Sequence, residues 1–352
     1  MTATKPVASM GNAPRPKAKQ GWLAGIKEYL DSRAGLDYLM LRIIIFLLIG
    51  IGVIMVFSSS MATSYVQSTG VWADAIRQTL MVCLGLFMFW LALRLRPSLV
   101  RKLVPWVLLL SFVLLIAVLI PGIGTGREEV GSQSWIIIGP ASIQPSELAR
   151  VAIGLYGATA LADKVHKGFG LKDPFTMYSL IAAAMMGLIM AQGDVGMAAS
   201  FAVVVIFTLF FAGVHWIAIA LIGALGVVAT IALFLGGGFR SHRFHTYFDA
   251  LRGNFLDTQG TGFQSYQGYL SLADGGLTGV GIGQSRAKWF SLPEAKNDYI
   301  FAIVGEELGL LGGALVILLF ALLGFFGIRT ALRAQSQFQA LMAATLTAGV
   351  VG

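Results

Sequence analysis

Apolar residues gather into nine runs along the chain, at roughly 39–57, 76–93, 104–120, 146–162, 175–192, 197–212, 215–235, 298–327 and from about 337 to the last residue, with the charged residues between them. A helix rising 1.5 Å per residue needs about 17–25 apolar residues to cross a bilayer. Most of the runs reach or approach that length, and the ninth is incomplete at Gly352. The pattern predicts an all-α polytopic integral membrane protein. Ahead of the first run, residues 1–36 are rich in Lys, Arg, Pro, Gly and Ala, the composition of a disordered basic tail. The first run is long enough to span, and the tail is too long for the charged part of a signal peptide, so the first helix is read as uncleaved. Residues 37–352 then form one transmembrane domain.

Composition sharpens this reading. With 57% hydrophobic and 12% charged residues among 352, the chain falls outside the range of soluble globular proteins and of disordered scaffolds. Its single cysteine, Cys83, lies inside an apolar run, which leaves no disulfide framework and no cysteine metal cluster. The formal charge of +8 is distributed by topology: the tail with Arg42, the segment 94–103, the segment 163–174 and the pair Arg329 and Arg333 hold sixteen of the 25 basic residues, all on one side. The positive-inside rule makes that side, and the N-terminus, cytoplasmic. Basic residues placed this way argue for contact of the tail with anionic lipid and not for nucleic acid.

Two segments then face outside, 121–145 and the much longer 236–297, and a connection of that size usually carries function. The long loop has six basic residues, including Arg243, Lys288 and Lys296, against four acidic ones. It is net positive where topology does not demand it, which fits an anionic ligand, although long translocated loops are largely exempt from the charge rule. Gly279, Gly281 and Gly283 alternate as in a nucleotide loop, but no strand or βαβ unit surrounds them, so they read as a tight turn at the membrane surface. His242 and His245 have a metal-compatible spacing without a third ligand nearby and are read as surface or packing residues.

Asp298 opens the eighth run beside Lys288 and Lys296 in sequence, either as a general base at the outer mouth of the bundle or as a first-turn carboxylate favoured by the helix dipole. Glu306 and Glu307 follow deeper in the same run. Carboxylates at that depth must face protein or water; at 100° per residue Glu306 lies about 80° from Asp298 and is the cavity candidate, while Glu307 is assigned a helix-to-helix hydrogen bond. Glu147 and Arg150, three residues apart, can pair on one face of the fourth span or line a polar cavity. Asp194 is either a helix cap or a cavity residue.

The segments MVFSSS, WIIIGPASIQPSELARVA, QGDVGMA, RSHRF, GTGFQSYQGYLSLADGG, GVGIGQSRAK and LPEAKNDYIFAIVGEELG occur in an order that resembles the SEDS family of shape, elongation, division and sporulation proteins over nearly all of residues 38–352. LPEA and the QG of QSYQGYL resemble the division members more than the elongation members. The resemblance implies a fold of ten spans with a large outer loop over a central cavity. It implies an inverting peptidoglycan glycosyltransferase, metal-independent or weakly assisted by Mg or Mn, that polymerises lipid II, an undecaprenyl diphosphate-linked disaccharide peptide. Its implied partners are a class B penicillin-binding protein transpeptidase and other divisome proteins, and its implied location is the bacterial cell membrane at the septum.

Carried over residue by residue, the resemblance makes Asp298 the catalytic base and puts Lys288 and Arg243 at the diphosphate. Glu147 with Arg150 matches a cavity pair in which lysine is the commoner partner; Asp194 and Glu306 complete the substrate-facing set. Departures are Lys296-Asn297 where His-Thr is usual and Ser134-Trp135 where Arg-Trp is frequent. The chain also stops before the family's tenth span and late outer loop, so it is read as C-terminally truncated. Two alternatives stand beside polymerisation. One is a lipid II flippase using the same charged cavity, and the other is a non-catalytic division scaffold.

Overall fold

Three of the helices start at proline. In the computed structural model, which describes residues 35–66, 72–126, 131–139, 141–164, 170, 172–214, 262–293 and 295–352 with single positions between 217 and 226, α1 runs Leu36–Val66, α2 Ala73–Arg94, α3 Pro97–Ala117, α4 Pro145–Leu161, α5 Pro174–Ala191 and α6 Val195–Phe211. Pro97, Pro145 and Pro174 occupy first helical positions, where the missing N–H costs nothing, and each holds the residue before it extended. Side-chain caps mark other starts. Asp173 accepts from the Thr176 amide at 3.1 Å and Asp194 from the Met197 amide at 3.0 Å. The remaining helices are α7 Phe263–Asp274, α8 Ile300–Leu332 and α9 Gln337–Val351, the last capped by Ser336.

Eight of the nine apolar runs are therefore helices; the run 215–235 lies almost wholly outside the described residues, as do the basic tail and residues 236–261. Among the described residues five helices are long and apolar enough to cross a membrane by themselves, α1, α2, α3, α5 and α8, and α6 and α9 are shorter apolar helices. The chain is a multi-pass membrane protein. The segment 121–145, read from sequence only as a loop, adds a small antiparallel sheet. Its strands β1 Gly124–Thr125, β2 Trp135–Ile138 and β3 Ala141–Ile143 pair in that order, with Gly124 opposite Ile136 and Ile137 opposite Ser142. Consecutive isoleucines favour the strand and Gly139, at φ 60°, makes the turn.

The main core gathers around α4, where Ala149, Ala152, Ile153, Ala158 and Leu161 are buried against Leu115 of α3, Tyr178 and Met185 of α5, Phe201 and Val204 of α6 and Leu341 of α9. Small residues set the spacing. Gly154 faces Thr345 and Val204, and Gly157 lies against Thr208 and Tyr178. The helix α2 packs on α1 and leaves Leu80, Leu84, Phe87 and Leu91 exposed, as a lipid-facing helix does. At the end bearing the N-terminal segment, Asp37 of α1 pairs with Arg329 and Arg333 of α8 at 3.3 and 3.0 Å, and Arg101 approaches Asp163 at 3.9 Å.

The helix α8 is not continuous. Gly309 has φ 68° and ψ −170°, a conformation essentially confined to glycine. The break removes the partners of four backbone groups, and the loop after α7 replaces all four. The Glu306 and Glu307 carbonyls accept from the amides of Val280 and Gly281 at 2.9 and 3.1 Å, while the amides of Leu310 and Leu311 donate to the carbonyls of Gly276 and Leu277 at 2.9 and 3.2 Å. Backbones this close exclude side chains: a Cβ on Gly275 would strike the Gly305 carbonyl, one on Gly279 the backbone at Glu307, and one on Gly309 the backbone at Leu277 and Gly279. Residues 310–332 are about 35 Å long as a helix and span without the upper part.

Gly309→Ala should lower the thermal midpoint of the detergent-solubilised protein by several degrees, because the conformation costs about 1–3 kcal/mol for a residue with a Cβ before any clash is counted. Gly313→Ala, whose Cβ meets only Phe301 at 3.5 Å, should leave the midpoint within a degree or two. Equal midpoints for the two variants would show that the break does not need glycine.

Candidate functional site

The segment 283–299 returns from the loop to the start of α8, and it is held at five points. Its first turn is fixed by the two glutamates of α8. Glu306 accepts from the Ser285 hydroxyl and the Arg286 amide, both at 2.7 Å, and Glu307 accepts from the Ser285 amide at 3.4 Å. Next comes Lys288, in a single π-helical turn, Ala287–Ser291. Its ammonium donates to the Gly283 carbonyl at 2.5 Å, to Glu307 at 3.2 Å and to the Ser58 hydroxyl of α1 at 3.3 Å. The Ser58 hydroxyl is shared between the two Glu307 oxygens at 2.6 and 2.7 Å. Lys288 is 4% exposed, Glu306 2% and Glu307 1%.

Further along, Leu292 and Ala295 are buried with Met55 of α1 and Ala302, Ile303 and Val304 of α8. Lys296 reaches Asp74 at the start of α2 at 2.7 Å. Two contacts join the segment to α7: Gln264 donates to the Pro293 carbonyl at 3.2 Å, and the hydroxyls of Ser265 and Tyr299 lie 3.1 Å apart. Asp298 sits between Lys296 and Tyr299 on this pinned strap and is exposed. Among the described residues its carboxylate forms no ion pair, although the bundle beneath it is tightly bonded.

A second polar group lies where α4 and α6 begin. Arg150 donates to Glu147 at 2.7 Å and to the Ser200 hydroxyl of α6 at 2.5 Å. Gln144, the residue before α4, donates to Asp194 at 3.0 Å, while the other Asp194 oxygen caps α6. The sheet is tied to the same corner, since the Gln133 amide donates to the Gln192 carbonyl at 2.9 Å. Glu147 is exposed and Arg150 half-buried, so this pair presents a cation and a carboxylate on the same face at the end where Asp298 stands.

Several placements differ from the sequence-based geometry. Asp298 is not in a helical turn: Tyr299 precedes the first residue of α8, so the 80° separation from Glu306 does not apply. Glu306 is sealed by the Ser285–Arg286 turn instead of facing an open cavity, because the strap folds back over the face a helical wheel leaves free. Lys288, assigned to a diphosphate, has its ammonium enclosed by three acceptors. Asp194 is a cap that also holds Gln144. Arg243, His242 and His245 lie outside the described residues. Sequence reasoning passed over Ser58 and Ser285; the signal was present as hydroxyls in MVFSSS and GQSRAK, polar residues that a buried position obliges to find partners.

The family model described as cell cycle protein, which unites FtsW, RodA and SpoVE, matches residues 38–352. A probable peptidoglycan glycosyltransferase FtsW of Mycobacterium tuberculosis is 34% identical over 346 residues, covering 98% of this chain and 63% of its own length. The stage V sporulation protein E of Bacillus subtilis is 35% identical over 314 residues, covering 87% of this chain and 82% of its own. The chain thus spans about 63% of the length of the mycobacterial relative. Among solved structures, the fold is shared with the rod shape determining protein RodA of Thermus thermophilus, at a TM-score of 0.59 and 19% identity over 88% of this chain and 80% of that one. It is also shared with a chain of a peptidoglycan synthase complex studied for the coordination of polymerization and crosslinking, at 0.64 and 22% over 88% and 82%. With a match running from residue 38 to residue 352, the chain belongs to the FtsW, RodA and SpoVE family of cell cycle proteins, the SEDS proteins whose motifs it carries.

Proposed function

We propose that the protein is a peptidoglycan glycosyltransferase of the division branch, FtsW, which polymerises lipid II on the outer face of the bacterial cell membrane. The observation that carries this reading is the exposed Asp298 carboxylate, without an ion-pair partner among the described residues, on a strap bonded to α1, α2, α7 and α8. Asp298 takes the proton of the acceptor sugar hydroxyl as that oxygen attacks the anomeric carbon of the donor. The new carbon–oxygen bond forms with inversion, the bond to the undecaprenyl diphosphate breaks, and the diphosphate departs with its electron pair. Diphosphate is a good leaving group and needs no strong general acid; Arg243 supplies positive charge to it. The scheme needs no resident metal, and a Mg or Mn ion carried by the diphosphate is the extent of metal assistance it accommodates.

The group at the ends of α4 and α6 binds the headgroup: Arg150 presents its guanidinium, and Glu147 and Asp194 orient that face. A class B penicillin-binding protein is the crosslinking partner, with other divisome proteins assembled at the septum and the N-terminal tail in the cytoplasm against anionic lipid. Support for the orientation comes from the clustering of Asp37, Arg101, Asp163, Arg329 and Arg333 at the end opposite Asp298.

Glycan synthesis from purified lipid II, with the cognate transpeptidase present, tests the reading. Asp298→Asn should lower the rate by about 10²–10⁴-fold, the range of a general base. Equal product from the variant would remove Asp298 from catalysis, and no product from the unaltered protein with lipid II binding intact would favour headgroup translocation or scaffolding. Arg150→Ala should raise KM for lipid II about 10- to 150-fold with a smaller change in kcat, the expected loss for one charged hydrogen bond of about 1.5–3 kcal/mol. A fall in kcat at constant KM would make Arg150 a structural residue.

A further inference from the structure

We propose that Lys288, Glu307 and Ser58 form a positioning lock that fixes the Asp298 strap to the bundle, and that Lys288 serves polymerisation through this lock and not by touching the substrate. The inference rests on the polymerase reading for its activity test and on geometry alone for its structural one. A lysine ammonium has three protons, and here each has an acceptor: a backbone carbonyl of its own loop, a carboxylate of α8 and a hydroxyl of α1. Reaching a diphosphate would require the ammonium to leave all three and to abandon a carboxylate that is 1% exposed. A buried carboxylate stripped of its cation is strongly destabilising, so binding would have to replace that interaction before it gained anything.

The lock also lies at the point where displacement would matter most. The Glu307 carboxylate holds α1 through Ser58 and the strap through Lys288 and the Ser285 amide, and its carbonyl accepts from Gly281 of the same loop. One residue therefore joins the loop, the strap, the upper half of α8 and α1. Nine residues separate Lys288 from Asp298, and Leu292, Ala295 and Lys296 are side-chain anchors among them. Loss of the ammonium leaves the first turn on the Glu306 bonds and the Ser285 amide and frees the π-helical turn from α1 and from Glu307, which loosens the strap between that turn and Asp298. A good general base in a poor position keeps the affinity of the site and loses the rate of its reaction.

The lock and a substrate contact predict opposite results for a pair of neutral isosteres. In the lock, Lys288→Met and Glu307→Gln each leave a buried charge or donor unmatched, whereas the double variant removes both charges together. Initial rates of lipid II polymerisation should fall tenfold or more in kcat for each single variant, with KM within twofold of the unaltered protein, and the double variant should recover at least half of the lost rate. In the Cys83→Ser background, a spin label attached through Trp289→Cys, an exposed position beside Lys288, should be immobile in the parent protein, mobile in both single variants and immobile again in the double. Lys288→Met acting through KM, no recovery in the double variant, or an immobile label throughout would each overturn the proposal. The label reads the lock without substrate, so it stands or falls independently of Asp298→Asn, whose silence would overturn only the polymerase reading.

Discussion

A helix that breaks inside a packed bundle must find new partners for the backbone groups it exposes, because a buried N–H or C=O left unpaired is costly. In α8 the break at Gly309 frees two carbonyls and two amides, and one six-residue stretch, 276–281, satisfies all four. Much of the half that carries Asp298 follows from that exchange. The loop cannot shift without uncovering buried polar groups, glycine is required at each backbone crossing, and the strap that continues from the loop is delivered against the one turn of α8 that carries Glu306 and Glu307.

Three carboxylates within ten residues thus acquire different chemistry from their surroundings. Glu306 and Glu307 are enclosed by donors and serve the architecture, whereas Asp298 stands in the open with its lone pairs available. The ion pairs divide in the same way. Lys296 with Asp74 and Glu147 with Arg150 keep contact with solvent, where such pairs are worth about 0–1 kcal/mol. Lys288 with Glu307 is fully enclosed, and breaking it from one side costs about 3–5 kcal/mol. Enclosed bonding is concentrated beneath the strap, and of the three carboxylates Asp298 alone is exposed.

Behind the strap the bundle is built around α4, whose small residues admit α5, α6 and α9 at close range. Its N-terminus carries Glu147 and Arg150 and lies beside the start of α6, so this closely packed helix ends at the second polar group. The sheet closes that corner by a hydrogen bond from Gln133 to Gln192. The second polar group thus stands on packed helix ends, whereas the Asp298 strap is held by side-chain bonds to the helices around it.

Features that depend on neighbours in the chain are legible in the amino-acid order alone. The spans follow from apolar runs, the helix starts from Pro97, Pro145, Pro174 and the caps Asp173 and Asp194, and the ion pair of Glu147 with Arg150 from a spacing of three. Gly279, Gly281 and Gly283 are readable as a tight turn, and all three have positive φ. What they cross is not readable. Ser58 and Glu307 are 249 residues apart, and periodicity along one helix contains nothing about which distant hydroxyl will face a buried carboxylate. The amino-acid order by itself determined the membrane class, most of the spans and the residue types available at the end that carries Asp298, because hydrophobicity and helix starts are local quantities. Only the tertiary structure decided that Lys288 is enclosed and Asp298 exposed, because burial is a property of what other segments bring to the same place.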